Sequence, residues 1–146
     1  MYNYLLDKER LRHCYQCGKC SSGCDVNRLD GSFQPHRLLH LISIGAIDKV
    51  LKSADIWKCT TCFTCSERCP QGIRVTDILW NMRAMAVKSG HIPELLVHQR
   101  EVLLKAGRLY SVGPIDNKKR GQAGLNAIPE EHPVIAKIFE ISEVED

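Results

Sequence analysis

At 146 residues, with 44% hydrophobic, 25% charged and only 6% aromatic side chains, the chain has room for one domain and a tail, but not for a large core of packed rings. A net charge of +3 with no long basic patch or stripe gives a nucleic-acid role no support. The anomaly is eight cysteines.

Residues 1–13 read as a short arm of one or two helical turns. They meet charges by residue 7, and no apolar run of signal-peptide length occurs. The most apolar stretch elsewhere, Leu38 to Ile47, is broken by His40 and falls far short of the roughly 18–20 residues that a membrane span needs. No membrane span is expected, and the chain reads as soluble and cytoplasmic. In a reducing compartment eight cysteines argue for metal or redox chemistry rather than disulfides.

The first cysteine run, Cys14-Tyr-Gln-Cys17-Gly-Lys-Cys20-Ser-Ser-Gly-Cys24, carries Gly18 and Gly23, which suit a loop folded closely round a compact object. Between Cys24 and Cys59, the sequence predicts helices. Pro35 is placed as a first helical residue, Leu38, Leu41 and Ile42 recur at helical spacing, and Gly45 is a stop. A second short piece spans Ala46 to Lys52. No stretch here alternates apolar and polar residues like a strand.

The second run, Cys59-Thr-Thr-Cys62-Phe-Thr-Cys65-Ser-Glu-Arg-Cys69-Pro70, repeats the spacing of the first. After it comes the clearest helix, opening at Val75 or Thr76, with Val75, Ile78, Leu79, Met82, Met85 and Ala86 on one face and Gly90 at its end. Another begins at Pro93 and closes at Gly107. The stretch from Arg108 to Pro133, rich in Gly and Pro, reads as loop or extended tail. Val134, Ile135, Ile138 and Phe139 share a face of a last short helix, too short to stand alone in water, which must dock on the parent domain or on a partner protein. The expected organisation is an all-α domain over residues 1–107 with two metal loops, and an irregular tail with a docking helix over 108–146.

C-x2-C-x2-C-x3-C followed by proline is the bacterial ferredoxin signature for a [4Fe–4S] cluster. A cubane offers four iron corners, each wanting one soft thiolate. Three cysteines spaced two residues apart reach three corners from one loop, and in two-cluster proteins the fourth cysteine of each run crosses to the other cluster. On that pattern Cys14, Cys17, Cys20 and Cys69 hold one cluster, and Cys59, Cys62, Cys65 and Cys24 hold the other. With eight thiolates and two such cores the net charge falls to roughly −1. Asp25 stands after Cys24 where such runs often place proline.

Two zinc sites could also use eight cysteines, but zinc modules favour separated C-x2-C pairs. A thioredoxin-like C-x-x-C needs a βαβ context that is missing here. His13 beside Cys14 could ligate or hydrogen-bond a cluster, yet complete cysteine sets leave it no vacancy. The other histidines read as surface or packing residues. There is no G-x-G-x-x-G, P-loop, nucleophile elbow or H-E-x-x-H. The expectation is a chain that moves electrons and has no catalytic residue of its own.

Two complete runs separated by a helical insert resemble the α-helical ferredoxin fold, found also in the iron–sulfur subunits of succinate dehydrogenase and fumarate reductase. More narrowly, the residues from Asp55 through the second run to Gly72, with Cys14-Tyr-Gln-Cys17-Gly-Lys-Cys20 upstream, resemble the C subunit of heterodisulfide reductase, over about residues 10–107. That resemblance implies an all-α fold with two [4Fe–4S] clusters bound by all eight cysteines. It implies an iron–sulfur relay component of an oxidoreductase of the CoB–CoM heterodisulfide reductase type, found in methanogenesis and assembled as a hetero-oligomer. Electrons would pass from the A subunit, which carries flavin and clusters, to the B subunit, which reduces a disulfide at clusters held by paired CCG motifs. This chain has no adjacent cysteines and so does not resemble the B subunit. Trp57 and Phe63, bracketing the second run, are candidates to exclude water from its cluster. The alternative is the iron–sulfur subunit of a fumarate/succinate-type or sulfur-oxidising heterodisulfide reductase-like complex; a fumarate-type protein would usually add a third cysteine group, which is not found here.

Overall fold

The computed structural model describes residues 11–132, 134–135 and 137–138. Among the described residues every regular element is a helix, and none is a strand. Of the expected N-terminal arm, Leu11 and Arg12 are helical and Leu11 is buried, while residues 1–10 lie outside the described residues.

The chain divides into two compact units, residues 1–91 and 92–146. The first contains helices α1 (Lys19–Ser22), α2 (Asp25–Leu29), α3 (Pro35–Ser43), α4 (Ile47–Leu51), α5 (Asp55–Lys58), α6 (Thr64–Glu67) and α7 (Val75–Lys88). Pro35 opens α3, where its missing N–H and fixed φ cost nothing. The spacing of Leu38, Leu39 and Ile42 puts them on the buried face of that helix. α7 buries Val75, Ile78, Leu79, Met82 and Ala86, the stripe that the sequence predicts, and leaves Trp80 in solvent. α3 and α7 close on one core with Phe33, Val50, Leu51, Ile56 and Ile73. Each such side chain contributes roughly 1.5–3 kcal/mol by leaving water.

The same core takes in Cys20, Cys24 and Cys65, and Cys14, Cys59 and Cys69 pack against it. The two cysteine runs are thus part of the packing of the first unit, not appendages to it. α1 and α6, one helical turn each, sit inside the runs, at equivalent places 45 residues apart.

The second unit contains α8 (Glu94–Ala106) and α9 (Pro114–Gln122). By sequence α8 groups with the cysteine-bearing segment, whereas the division of the chain falls between His91 and Ile92, ahead of this helix. α9 lies in the stretch expected to be irregular. Pro114 occupies its first position, and the Gly113 N–H donates to the Asp116 carboxylate at 3.0 Å. Asn117 then fastens the returning chain through two bonds, one to the Ile128 carbonyl at 2.9 Å and one from the Ile128 N–H at 2.8 Å. Residues 134, 135, 137 and 138 are helical, as expected, while Phe139 lies outside the described residues. Ile135 comes so close to Gly107 that a Cβ there would stand 2.9 Å from Ile135 Cγ1, and the His132 N–H donates to the Lys105 carbonyl at 2.9 Å. His132 and Ile135 thus lie against the C-terminal end of α8 within the same unit.

Candidate metal centres

In both runs the backbone turns in the same unusual way. The residue before the second cysteine has positive φ, Gln16 at 58° and Thr61 at 54°, and so does the residue after it, Gly18 at 75° and Phe63 at 62°. Three left-handed residues that are not glycine in such short loops mark a backbone that its surroundings over-determine. The turn leads directly into α1 or α6 and buries the third cysteine, Cys20 or Cys65.

The serine after each third cysteine ties its loop to the start of a long helix. Ser21 Oγ accepts the His36 N–H at the start of α3 at 3.1 Å; Ser66 Oγ accepts the Thr76 N–H at the start of α7 at 3.0 Å. Each bond satisfies an orphan donor of a helix N-terminus while fixing the loop. The two halves of the first unit are built alike.

Two cavities result. One is lined by Cys14, Cys17, Cys20 and Cys69, closed by Leu39, Ile73 and Val75, with about 300 Å³ of empty space, part of it open to solvent. The other is lined by Cys59, Cys62, Cys65 and Cys24, closed by Phe33, Pro35 and Leu79, with about 310 Å³. Each takes three sulfurs from one run and the fourth from the other. The walls correspond too: Ile73, Val75 and Leu39 in one stand where Phe33, Pro35 and Leu79 stand in the other. Among the described residues no three His, Cys, Asp or Glu side chains are close enough together to hold a single metal ion.

A family model described as "4Fe-4S dicluster domain" matches residues 10–73. The chain is 38% identical over 120 residues to the C subunit of the Ferredoxin:CoB-CoM heterodisulfide reductase of Methanosarcina mazei, covering 80% of this chain and 71% of that relative. The chain belongs to the family of heterodisulfide reductase C subunits. It is also 32% identical over 119 residues to the iron-sulfur C subunit of the CoB--CoM heterodisulfide reductase of Methanopyrus kandleri, and 37% over 115 residues to the C2 subunit of the H(2)/formate:CoB-CoM heterodisulfide,ferredoxin reductase of Methanococcus maripaludis. These matches cover 82% and 79% of this chain but 62% and 61% of the relatives, so the chain spans about three-fifths of their length. Members of the family are iron–sulfur electron-transfer subunits of an oxidoreductase. No helix among the described residues is long and apolar enough to cross a membrane.

The donor set of this heterodisulfide reductase family member suits an iron–sulfur core. All eight cysteines are free. Burial, with the Cys65 charge next in effect, pushes the Cys20 thiol up to about 11, and burial likewise raises Cys65. Crowded, buried sulfurs without a counter-charge hold their protons, and a cationic metal core is what would release them. Polar contacts reach the sulfurs in both sites. Gln16 Nε2 donates to Cys14 Sγ at 3.3 Å and the Thr61 N–H to Cys59 Sγ at 3.4 Å; Thr64 Oγ1 lies 3.5 Å from Cys62 Sγ, and that contact first of all lowers the Cys62 pKa. Such contacts, with burial, set the potential of a cluster.

The other candidates fall into place. Phe63 lines the second cavity and is half exposed, so its ring borders both the site and solvent. Trp57 does not line it. It packs against the core beneath Arg83, whose guanidinium lies 5.9 Å from its ring centre. His13 is exposed and lines neither cavity. Asp25 is the first residue of α2, favourable for a carboxylate at a helix N-terminus, while Pro70 at the corresponding place lines the first cavity. His36 and Thr76, which line the two cavities at equivalent helix positions, are not among the residues that the sequence singles out. The one sequence signal for them is the serine directly after the third cysteine of each run.

Proposed function

We propose that this chain is an electron-relay subunit holding two [4Fe–4S] clusters, one on Cys14, Cys17, Cys20 and Cys69, the other on Cys59, Cys62, Cys65 and Cys24. The observation that carries the reading is the distribution of sulfurs: four line each cavity, three from one run and one from the other. The exchanged fourth cysteine makes cluster binding and folding one event, because each cluster would clamp both runs together. It also keeps the sites adjacent, near enough that the Cys65 charge bears on the Cys20 thiol. When bound, the clusters supply one-electron redox chemistry. The chain supplies thiolates, a largely apolar wall and hydrogen bonds to sulfur, and has no catalytic residue or substrate site of its own.

In the complex, the chain passes electrons from an A subunit bearing flavin and clusters to a disulfide-reducing B subunit with paired CCG motifs, as a heterodisulfide reductase hetero-oligomer. That the relatives are C subunits of heterodisulfide reductases supports a place in such a hetero-oligomer. The test is anaerobic purification of the chain from its native cell, with mass spectrometry of the proteins that accompany it. A CCG-motif protein together with a flavoprotein is expected. A membrane anchor with a dicarboxylate-oxidising flavoprotein would overturn the assignment of partners while leaving the clusters in place. A colourless preparation containing zinc but no iron would overturn the clusters as well.

A further inference from the structure

The two sites differ in hydrogen-bonding character at one matched helix position. Residue 36 in α3 corresponds to residue 76 in α7, since the backbone N–H of each donates to the serine after the third cysteine. Position 36 is histidine and position 76 is threonine. Thr76 is 1% exposed, and its Oγ1 lies 3.1 Å from Ser66 Oγ and 3.3 Å from Cys65 Sγ.

The protons can be counted. Ser66 Oγ accepts the Thr76 N–H and donates its own hydroxyl hydrogen to Thr76 Oγ1. A Cys65 thiolate has no proton to give, so the Thr76 O–H is the donor of the contact with sulfur. The chain of bonds begins at the helix backbone and ends on the ligand sulfur, in a dry setting where each link strengthens the next. In the first site the corresponding bonds close on themselves. Ser21 Oγ accepts the His36 N–H and lies 2.7 Å from His36 Nδ1. The Ser21 hydroxyl is thus paired with a ring nitrogen, and among the described residues no hydroxyl makes a hydrogen bond to Cys20 Sγ. Lys19 and His36 also line the first cavity, so the Thr76 hydroxyl decides the potential of its own site and not by itself the order of the two. Each site has one nitrogen donor to its first cysteine, from Gln16 or Thr61, and the second site adds the Thr64 hydroxyl beside Cys62, where the first has Lys19.

One-electron reduction adds a negative charge to a thiolate-held core, and a donor aimed at a ligand sulfur stabilises that added charge. We propose that the Thr76 hydroxyl raises the potential of the second-run site and so draws a single electron held by the pair towards the site of Cys59, Cys62, Cys65 and Cys24. The transfer is a plain exchange of one electron: the first site loses it, the second gains it, and no bond or proton changes place. The inference rests on the cluster assignment above.

The experiment is a dithionite redox titration of the complete, cluster-loaded chain followed by electron paramagnetic resonance. A Cys62→Ser variant, which alters the second site's ligand field, identifies the second-run signal. At the addition of one electron per chain, the ratio of second-run to first-run signal is expected to be about fivefold higher with that hydroxyl than without it, the worth of one buried hydrogen bond. Thr76→Val should lower that ratio by moving only the second-run midpoint down, and Thr76→Ser should restore it. If Thr76→Val loses iron, Ser66→Ala provides the test. It removes the donor that fixes the Thr76 hydroxyl and should move the same midpoint downwards by a smaller amount. Unchanged midpoints in the iron-replete variants, or a shift confined to the first-run signal, would overturn the role of Thr76. A parent chain without two four-iron signals would overturn the cluster assignment instead, so the two failures are told apart.

Discussion

Gly18 and Phe63 occupy the same place in the two cysteine loops, each directly after the second cysteine, and both hold a left-handed backbone, with φ at 75° and 62°. Glycine does so freely, while a side chain with a Cβ bears a strain of roughly 1–2 kcal/mol. Phe63 bears it with its ring half exposed at the second cavity, so the ring's contribution lies in covering the site. Phe63→Gly relieves the strain and makes the unfolded chain more flexible; these effects oppose each other and leave stability within about 1 kcal/mol of the parent. Water admitted to the site favours the more negative, reduced state. A redox titration should therefore show the second-run midpoint rising and the first-run midpoint unmoved. Two unmoved midpoints would dismiss the ring as a shield.

Gly18→Ala offers the opposite case. A Cβ at position 18 would meet nothing within 4 Å, so crowding predicts no effect. The backbone predicts a loss of about 1 kcal/mol, because φ stays at 75° whatever the space. Gly23→Ala, by contrast, brings a Cβ to 2.5 Å from Arg68 Nη1, yet φ there is −94° and Arg68 is an exposed side chain that can swing aside. Denaturation midpoints should fall more for Gly18→Ala than for Gly23→Ala. The reverse order would mean that packing against Arg68, not backbone conformation, governs the first loop.

The crossed sulfurs give a reciprocal prediction at two positions. Cys24 lies in the first run but lines the second cavity, and Cys69 lies in the second run but lines the first. Cys24→Ala should reduce occupancy of the site of Cys59, Cys62 and Cys65, and Cys69→Ala that of the site of Cys14, Cys17 and Cys20. Mössbauer and electron paramagnetic resonance spectra of the two variants should each lose a different signal. Loss of the signal belonging to the mutated run would refute the crossing.

How far the sequence foretells this arrangement depends on where the determining contacts lie. α3, α7 and α8 are legible because their apolar residues recur at helical spacing between Pro and Gly punctuation. α1 and α6 are not, since a single turn has no period to read and its shape comes from the loop before it. α9 escapes for another reason. Ile115 is its one large apolar residue, and the helix is held by its start and by the pairing of Asn117 with Ile128. The cysteine spacing speaks for itself, whereas the Ser21–His36 and Ser66–Thr76 pairs join residues 15 and 10 apart, and only the tertiary fold brings them together.

Arg83 joins α7 to the approach of the second run. Its Nε donates to the Ile56 carbonyl at 2.7 Å and its Nη2 to the Cys59 carbonyl, satisfying carbonyls at the end of α5, while the guanidinium lies over Trp57. A lysine keeps the charge but not the planar fork that reaches both carbonyls. Arg83→Lys should cost about 1.5–3 kcal/mol, the range of a hydrogen bond to a charged group. Iron retention under mild denaturant should fall at the second-run site before the first. Equal loss at both would show that Arg83 serves the core as a whole.

Lys58 ties the turn after α2 to α5. Its Nζ lies 2.8 Å from Asp30 Oδ2 and 3.0 Å from Asp55 Oδ1. The bonds from Lys58 and then Ser32 hold the Asp30 carboxyl down to about 2, and the bonds to Asp30 and then Asp55 raise Lys58. The carboxyl is depressed on folding, so its contribution is present above about pH 4 and is lost as pH falls towards about 2. The amine is raised on folding, so its share is fully present below its ordinary value of 10.5 and is lost as pH climbs through the higher folded value. Asp30→Asn should therefore lower the denaturation midpoint by a steady amount across neutral pH, and its difference from the parent should narrow above pH 10.5. The pair is partly exposed, so half-molar salt should narrow the same difference at pH 7. A difference insensitive to both salt and alkali would mean that Asp30 acts through its bond to the Ser32 N–H at 3.0 Å rather than through Lys58.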